Sequence, residues 1–229
     1  MAQSPERAEL SRARIISAAR QVLVEGGGDF ELADLARRAG VSVGLPYHRF
    51  GSKAGVMGAV VTEFYDGIRR AIDLGDFADL DWSVRERERL RRLVDYLYGD
   101  PLAGVIISSL GREPEVGALE ANLWNETIEA AARNLASAQK RGQVAPDLEP
   151  ALAAAMICGG VRHAVGLALR AKPRRSRSTL VAEIWTFVAN ALRLEALHSD
   201  QQAGGKHAVP SRAAKQGAPR TPKTGKVKS

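Results

Sequence analysis

The chain has 229 residues, 45% hydrophobic but only 5% aromatic, and carries a formal charge of +7. This is enough apolar material for one large core or two small ones, and with no sustained alternation and no Asn-Gly hairpin signal an all-α fold is expected. One cysteine, Cys158, excludes an intrachain disulfide and a thiolate zinc cluster, and the four histidines lack metal-ligand spacing, so neither metal nor cofactor is expected.

Met1 to Arg14 is charged and has no apolar segment of the kind a secretory signal needs. Residues 1–9 read as a loose arm. A first helix is predicted over about 10–25 from the apolar spacing of Ile15, Ile16, Ala18, Ala19, Val22 and Leu23, and it is closed by Gly26-Gly27-Gly28. Because these glycines follow a helix, they are a C-cap and not a phosphate-binding loop. Leu32, Leu35, Ala36 and Ala39 give a second helix over about 31–39, Gly40 a sharp turn, and Ser42 an N-cap for a third helix over about 43–49. Helix, Gly-containing turn and helix together spell a DNA-binding helix-turn-helix at about 31–50. Pro46, near the fourth position of that third helix, forfeits a hydrogen bond to the Ser42 carbonyl; it either kinks the helix or goes with a looser, 3₁₀-like first turn.

Gly51-Ser52-Lys53 caps a fourth helix over about 53–72, and Leu74 to Asp79 marks the exit into a second domain. Ser83-Val84-Arg85-Glu86 has capping-box form and is predicted to start a fifth helix ending near Gly99. Asp100-Pro101 starts a sixth, which Gly111 and Pro114 end. Helices over about 116–141, 148–171 and 178–197 complete the body. The longest apolar stretch, Ala151 to Ala171, is interrupted by Arg162 and His163 and reads as a buried helix, not a membrane span. A cytoplasmic protein with no membrane partner follows.

Six of the seven net positive charges lie in 199–229, where seven Lys and Arg face Asp200 alone. That Ala/Gly/Pro/Lys-rich segment is expected to be disordered, either as a solubility tail or as a non-specific DNA-contacting arm. The body is nearly neutral, so its affinity for DNA has to come from a few placed groups.

The string Ala39-Gly40-Val41-Ser42, then Tyr47-x-x-Phe50, then Ser52-Lys53, behind an amphipathic first helix, resembles the TetR family of transcriptional regulators over about residues 10–70. The resemblance implies a helical regulatory and dimerisation domain over 74–198, a homodimer joined by the last two helices, and a ligand-responsive repressor acting on a palindromic operator in double-stranded DNA. Val43, Gly44 and Leu45 would enter the groove, the two apolar side chains packing on thymine methyl groups. Tyr47 aligns with the family's phosphate-contacting tyrosine, His48 with a frequent phosphate or base contact, and Lys53 with its phosphate lysine; Arg49 could read guanine or clamp phosphate. Alternatively Tyr47 is a core aromatic, as Phe50 is expected to be, while Arg37 and Arg38 read as solvated.

For an unknown small-molecule effector, Tyr96, Trp124, Asn125, Ile128, Met156 and His163 mix apolar lining with polar handles, although each also fits ordinary core. Small residues Ala155, Gly159 and Gly166 on helix 8, with Ile184, Trp185 and Val188 on the doubly apolar helix 9, are the expected dimer interface. Two other readings remain open, a nucleoid-type architectural DNA protein with little sequence preference and a helical ligand carrier. No catalytic cluster is evident, so an enzyme is not expected.

Overall fold

A computed structural model of the chain describes residues 5–73, 75, 80–108 and 113–194. Among these residues there are α-helices and no strand. They are α1 (Pro5–Glu25), α2 (Leu32–Ala39), α3 (Gly44–Phe50), α4 (Lys53–Ile72), α5 (Trp82–Gly99), α6 (Leu102–Ser108), α7 (Pro114–Lys140), α8 (Pro150–Arg170) and α9 (Arg177–Ala191). The basic segment 199–229, expected to be disordered, lies outside the described residues.

The amino-terminal unit is held by the residues whose spacing foretold it. Ile15, Ala19 and Leu23 of α1 join Leu35 of α2 and Val56 and Val60 of α4 in one core, all fully buried. Gly40 closes α2 at φ +62°, a left-handed conformation that L side chains rarely adopt, and its N–H returns to the Arg37 carbonyl. Arg14 of α1 locks this turn by donating to the carbonyls of Ala39 at 2.7 Å and Gly40 at 3.1 Å. Ser52 caps α4 by accepting the Gly55 N–H at 2.9 Å.

α4 then leaves this unit and packs along α7 and α5, burying Phe64 and Tyr65 in the second half of the molecule. There α7 lies against α8, α5 against α9, and the short α6 bridges α1 and α8. A carboxylate fixes the bridge: Asp100 caps α6 through the Leu102 N–H and accepts from Arg20 of α1 at 2.5 Å.

Several boundaries differ from the expected ones. α1 begins at Pro5, so residues 5–9 are helical and not part of an arm. Ser83 is not the cap of α5; Asp81 is, accepting from the Ser83 N–H and hydroxyl, and Glu86 pairs with Arg89 instead of closing a capping box. Pro114 opens α7 at its first turn, where the missing N–H costs nothing. α9 ends at Ala191 because the chain turns at Arg193, whose φ is +53°.

Candidate DNA-reading surface and ligand cavity

α3 is seven residues long and divides into two faces. Pro46 is buried and Leu45, Arg49 and Phe50 are half-buried, while Val43, Gly44, Tyr47 and His48 are exposed, Val43 and Tyr47 to about two thirds (64% and 65%). Tyr47 is therefore not a core aromatic, and Phe50 does pack on the core, with Arg12 over its ring. Leu45, expected in the groove, instead packs on the core, because it stands one residue round the helix from the outward pair Val43 and Gly44.

The first turn of α3 follows the looser of the two forms open to it. Val43, not Ser42, holds the N-cap position and makes no side-chain cap, and the Leu45 N–H reaches the Ser42 carbonyl at 3.0 Å in a 3₁₀-type bond. Pro46 therefore sits among the first-turn positions whose N–H groups have no intrahelical partner, and it breaks nothing.

Lys53, at the first position of α4, is half-buried over the Phe30 ring and paired with Asp29. The Lys53 hydrogen bond and then the Phe30 N–H hold the Asp29 carboxyl below its ordinary value. A phosphate would have to compete with this internal counter-ion. Arg37 and Arg38 are solvent-facing and paired with Asp34 and Glu25.

The second half encloses a cavity of about 600 Å³ between α4, α5, α7, α8 and α9, with α6 at its side, within the range of small-molecule sites. All three tryptophans of the chain, Trp82, Trp124 and Trp185, line it. At its inner end Arg162 donates to Glu120 at 2.6 Å and to the Tyr65 hydroxyl at 2.9 Å, and lies over Trp124 at 4.9 Å. The Tyr65 hydroxyl in turn donates to Glu120 at 3.3 Å. Glu120 is the one charged residue classed as buried among the described residues, and burial pushes the Tyr65 phenol up to about 12. Cys158 also lines the cavity, and burial raises its thiol to about 11.

Of the six expected effector contacts only Trp124 lines the cavity. Tyr96 backs the wall, donating to the Phe64 carbonyl at 3.2 Å and filling the space beside Gly67. Ile128 is packed into the core away from the cavity, and Asn125, Met156 and His163 face outward. His163 Nδ1 lies 2.9 Å from the Gly159 carbonyl of its own helix. α7 and α8 are apolar over so much of their surface that sequence does not fix their rotation. The polar lining residues Arg162 and Asn134, and Glu120 behind Arg162, were missed; an arginine and a glutamate set among apolar helical positions were the available signal.

The expected dimer residues also divide. Ile184 and Val188 are buried in the chain's own core, and Trp185 faces the cavity. Gly166 faces α6, where a Cβ would stand 2.8 Å from Ile107. Ala155 is half-buried, and Gly159 adjoins open space. On α8 and α9 the large apolar side chains left exposed are Leu152, Met156, Leu167 and Phe187, each about 60% exposed or more. α8, expected to be a buried helix, is long and apolar enough to cross a membrane by length and composition, and only Ala153, Ala154, Val165, Gly166 and Ala168 of it are buried within the chain.

Residues 15–60 match the family described as bacterial regulatory proteins, tetR family. The HTH-type transcriptional regulator UidR of Escherichia coli strain K12 is 26% identical over 156 residues, 66% of this chain and 77% of its own. Among solved structures, Salmonella enterica GusR superposes with a TM-score of 0.68 at 20% identity, covering 83% of this chain and 98% of that one. RolR in complex with resorcinol superposes with a TM-score of 0.58 at 21% identity, covering 82% and 94%.

Proposed function

Because the chain belongs to the TetR family of bacterial regulators, we propose that it is a homodimeric, effector-responsive repressor that binds a palindromic operator. The observation that carries the reading is the division of α3. Its inner face anchors the helix to the core, and its outer face offers Val43, Gly44, Tyr47 and His48 to a groove. Val43 suits a thymine methyl group, Gly44 lets backbone approach closely, and Tyr47, His48 and Lys53 suit phosphates.

A dimer is supported by the uncovered stripe of Leu152, Met156, Leu167 and Phe187, which a second copy would bury. Effector control is supported by the cavity, and the RolR structure holds a small molecule on the same fold. α6 flanks the cavity and is tied to α1 by the Arg20–Asp100 pair, so a ligand that moves α6 also moves the DNA-binding unit. A cytoplasmic location follows from this role.

The test is selection of bound duplexes from random DNA, with the full chain and with residues 199–229 removed. The expected result is one palindromic site for both, lost in Tyr47→Ala and His48→Ala. Enrichment of no sequence would favour a nucleoid-type protein. In sedimentation, Phe187→Glu is expected to yield monomers, and a wild-type chain that is monomeric at micromolar concentration would overturn the dimer.

A further inference from the structure

The cavity also states what it accepts. Its lining contains three arginines, Arg69, Arg89 and Arg162, and three carboxylates, Asp73, Glu86 and Glu126, while Glu120 stands behind Arg162. Each arginine is already committed: Arg69 to Glu126 at 2.9 Å, Arg89 to Glu86, and Arg162 to Glu120 at 2.6 Å. A carboxylate brought to Arg162 would meet the buried charge of Glu120. A cation seeking Glu120 would have to displace Arg162, which holds it in the low-dielectric interior. No arginine is left over for an acid, and Asp73, the lining carboxylate that none of these arginines matches, is exposed to solvent.

What the cavity does offer is indole surface and one amide. Trp82, Trp124 and Trp185 come from three different helices, and Ile68, Leu93 and Val161 fill surface between them. Aromatic walls of this kind favour flat, rigid molecules over flexible chains. The Oδ1 atom of Asn134 accepts from the Trp82 indole N–H at 3.3 Å, which orients the amide and leaves its NH₂ as a donor on the lining.

We propose that the effector is an uncharged, largely apolar ring compound with a carbonyl or hydroxyl oxygen that accepts from Asn134, and that the closed Arg162–Glu120–Tyr65 network excludes organic acids. This rests on the reading of the chain as effector-responsive, but the binding preference is separable from it. Glu120 acts here as a specificity-determining residue, since its charge is what turns Arg162 away from a carboxylate.

The experiment titrates the full chain with three scaffolds, each as a neutral compound and as a carboxylate of the same skeleton, and reads tryptophan fluorescence. Progesterone is set against 3-oxo-4-androstene-17β-carboxylate, a flavanone against its carboxylate derivative, and a methyl naphthoate against the free naphthoate. At least one neutral member is expected to quench saturably and at least tenfold more tightly than its acid. Asn134→Leu should weaken that neutral ligand about tenfold, and Glu120→Gln should tighten the matching acid at least tenfold while leaving the neutral ligand within threefold. Acids binding as well as their neutral partners, or no member of any pair binding, would overturn the proposal, as would a Glu120→Gln protein that folds and still rejects acids. Tight neutral binding that leaves operator affinity unchanged would support the ligand class and overturn the effector-responsive reading instead.

Discussion

Breaking the buried pair at the end of the cavity gives the sharpest stability test. The Glu120 side chain is 10% exposed and that of Arg162 21%, and they meet at 2.6 Å. Opposite charges ~4 Å apart attract by about 4 kcal/mol at an effective dielectric of ~20, but both have given up hydration to be there. Removing one partner therefore strands the other, at a cost of about 3–5 kcal/mol, whereas removing both removes the penalty as well. Arg162→Met and Glu120→Met are each expected to lower the unfolding free energy by about 3 kcal/mol. The arginine change should be the costlier, because it also ends the contact with Trp124, worth about 0.5–1 kcal/mol. The double variant strands neither charge and should lose only about 1 kcal/mol, so that the coupling is about 5 kcal/mol. Urea unfolding at one fixed protomer concentration measures this, since association contributes to apparent stability. Costs that add to within about 0.5 kcal/mol would show that the two charges are solvated independently, and would refute the argument.

Gly40→Ala places a Cβ at φ +62° and 2.7 Å from the Arg14 guanidinium; a loss of about 1–3 kcal/mol is expected in thermal or urea melts, part of it as left-handed strain of about 1–2 kcal/mol, and no loss would mean that the turn is not held as described. Cys158, raised to about 11 by burial against an ordinary value of 9.0, should react with iodoacetamide about a hundredfold more slowly than an unperturbed thiol at pH 7–8, with its rate still rising past pH 10. For Tyr65, whose folded value near 12 exceeds the ordinary 10.0, the unfolded chain loses its proton first. Stability should therefore be independent of this group below pH 10 and fall by about 2–3 kcal/mol as pH rises from 10 to 12; an absent drop in wild type relative to Tyr65→Phe would contradict the burial. Asp29→Asn frees Lys53 and should tighten binding to all duplexes alike, while Lys53→Ala should lower the salt slope by about one unit; a change in base preference from either would overturn the assignment of Lys53 to phosphate.

The division between sequence and tertiary structure follows the range of the interactions involved. In the first 70 residues the signals are local. The spacing of Leu35, Ala36 and Ala39, the left-handed Gly40 and the hydroxyl cap of Ser52 each act within a turn or two of the chain, so the sequence by itself determined the helix-turn-helix and the family it resembles. Even here tertiary packing turned Leu45 inward and tied Lys53 to Asp29, because those outcomes depend on partners distant in sequence. In the second half the sequence determined that there are helices and roughly where they end, but not their rotation. α8 and α9 are apolar on more than one side, and a pattern that broad is compatible with several faces pointing inward. Only packing decided that Ile184 and Val188 belong to the chain's own core, that Met156 and Phe187 stay uncovered, and that three tryptophans spread from position 82 to position 185 share one cavity. Arg162 and Glu120 show the reason most directly. Each alone is a charge on an apolar helix, and only contact across 42 residues of sequence makes them a buried, neutral pair.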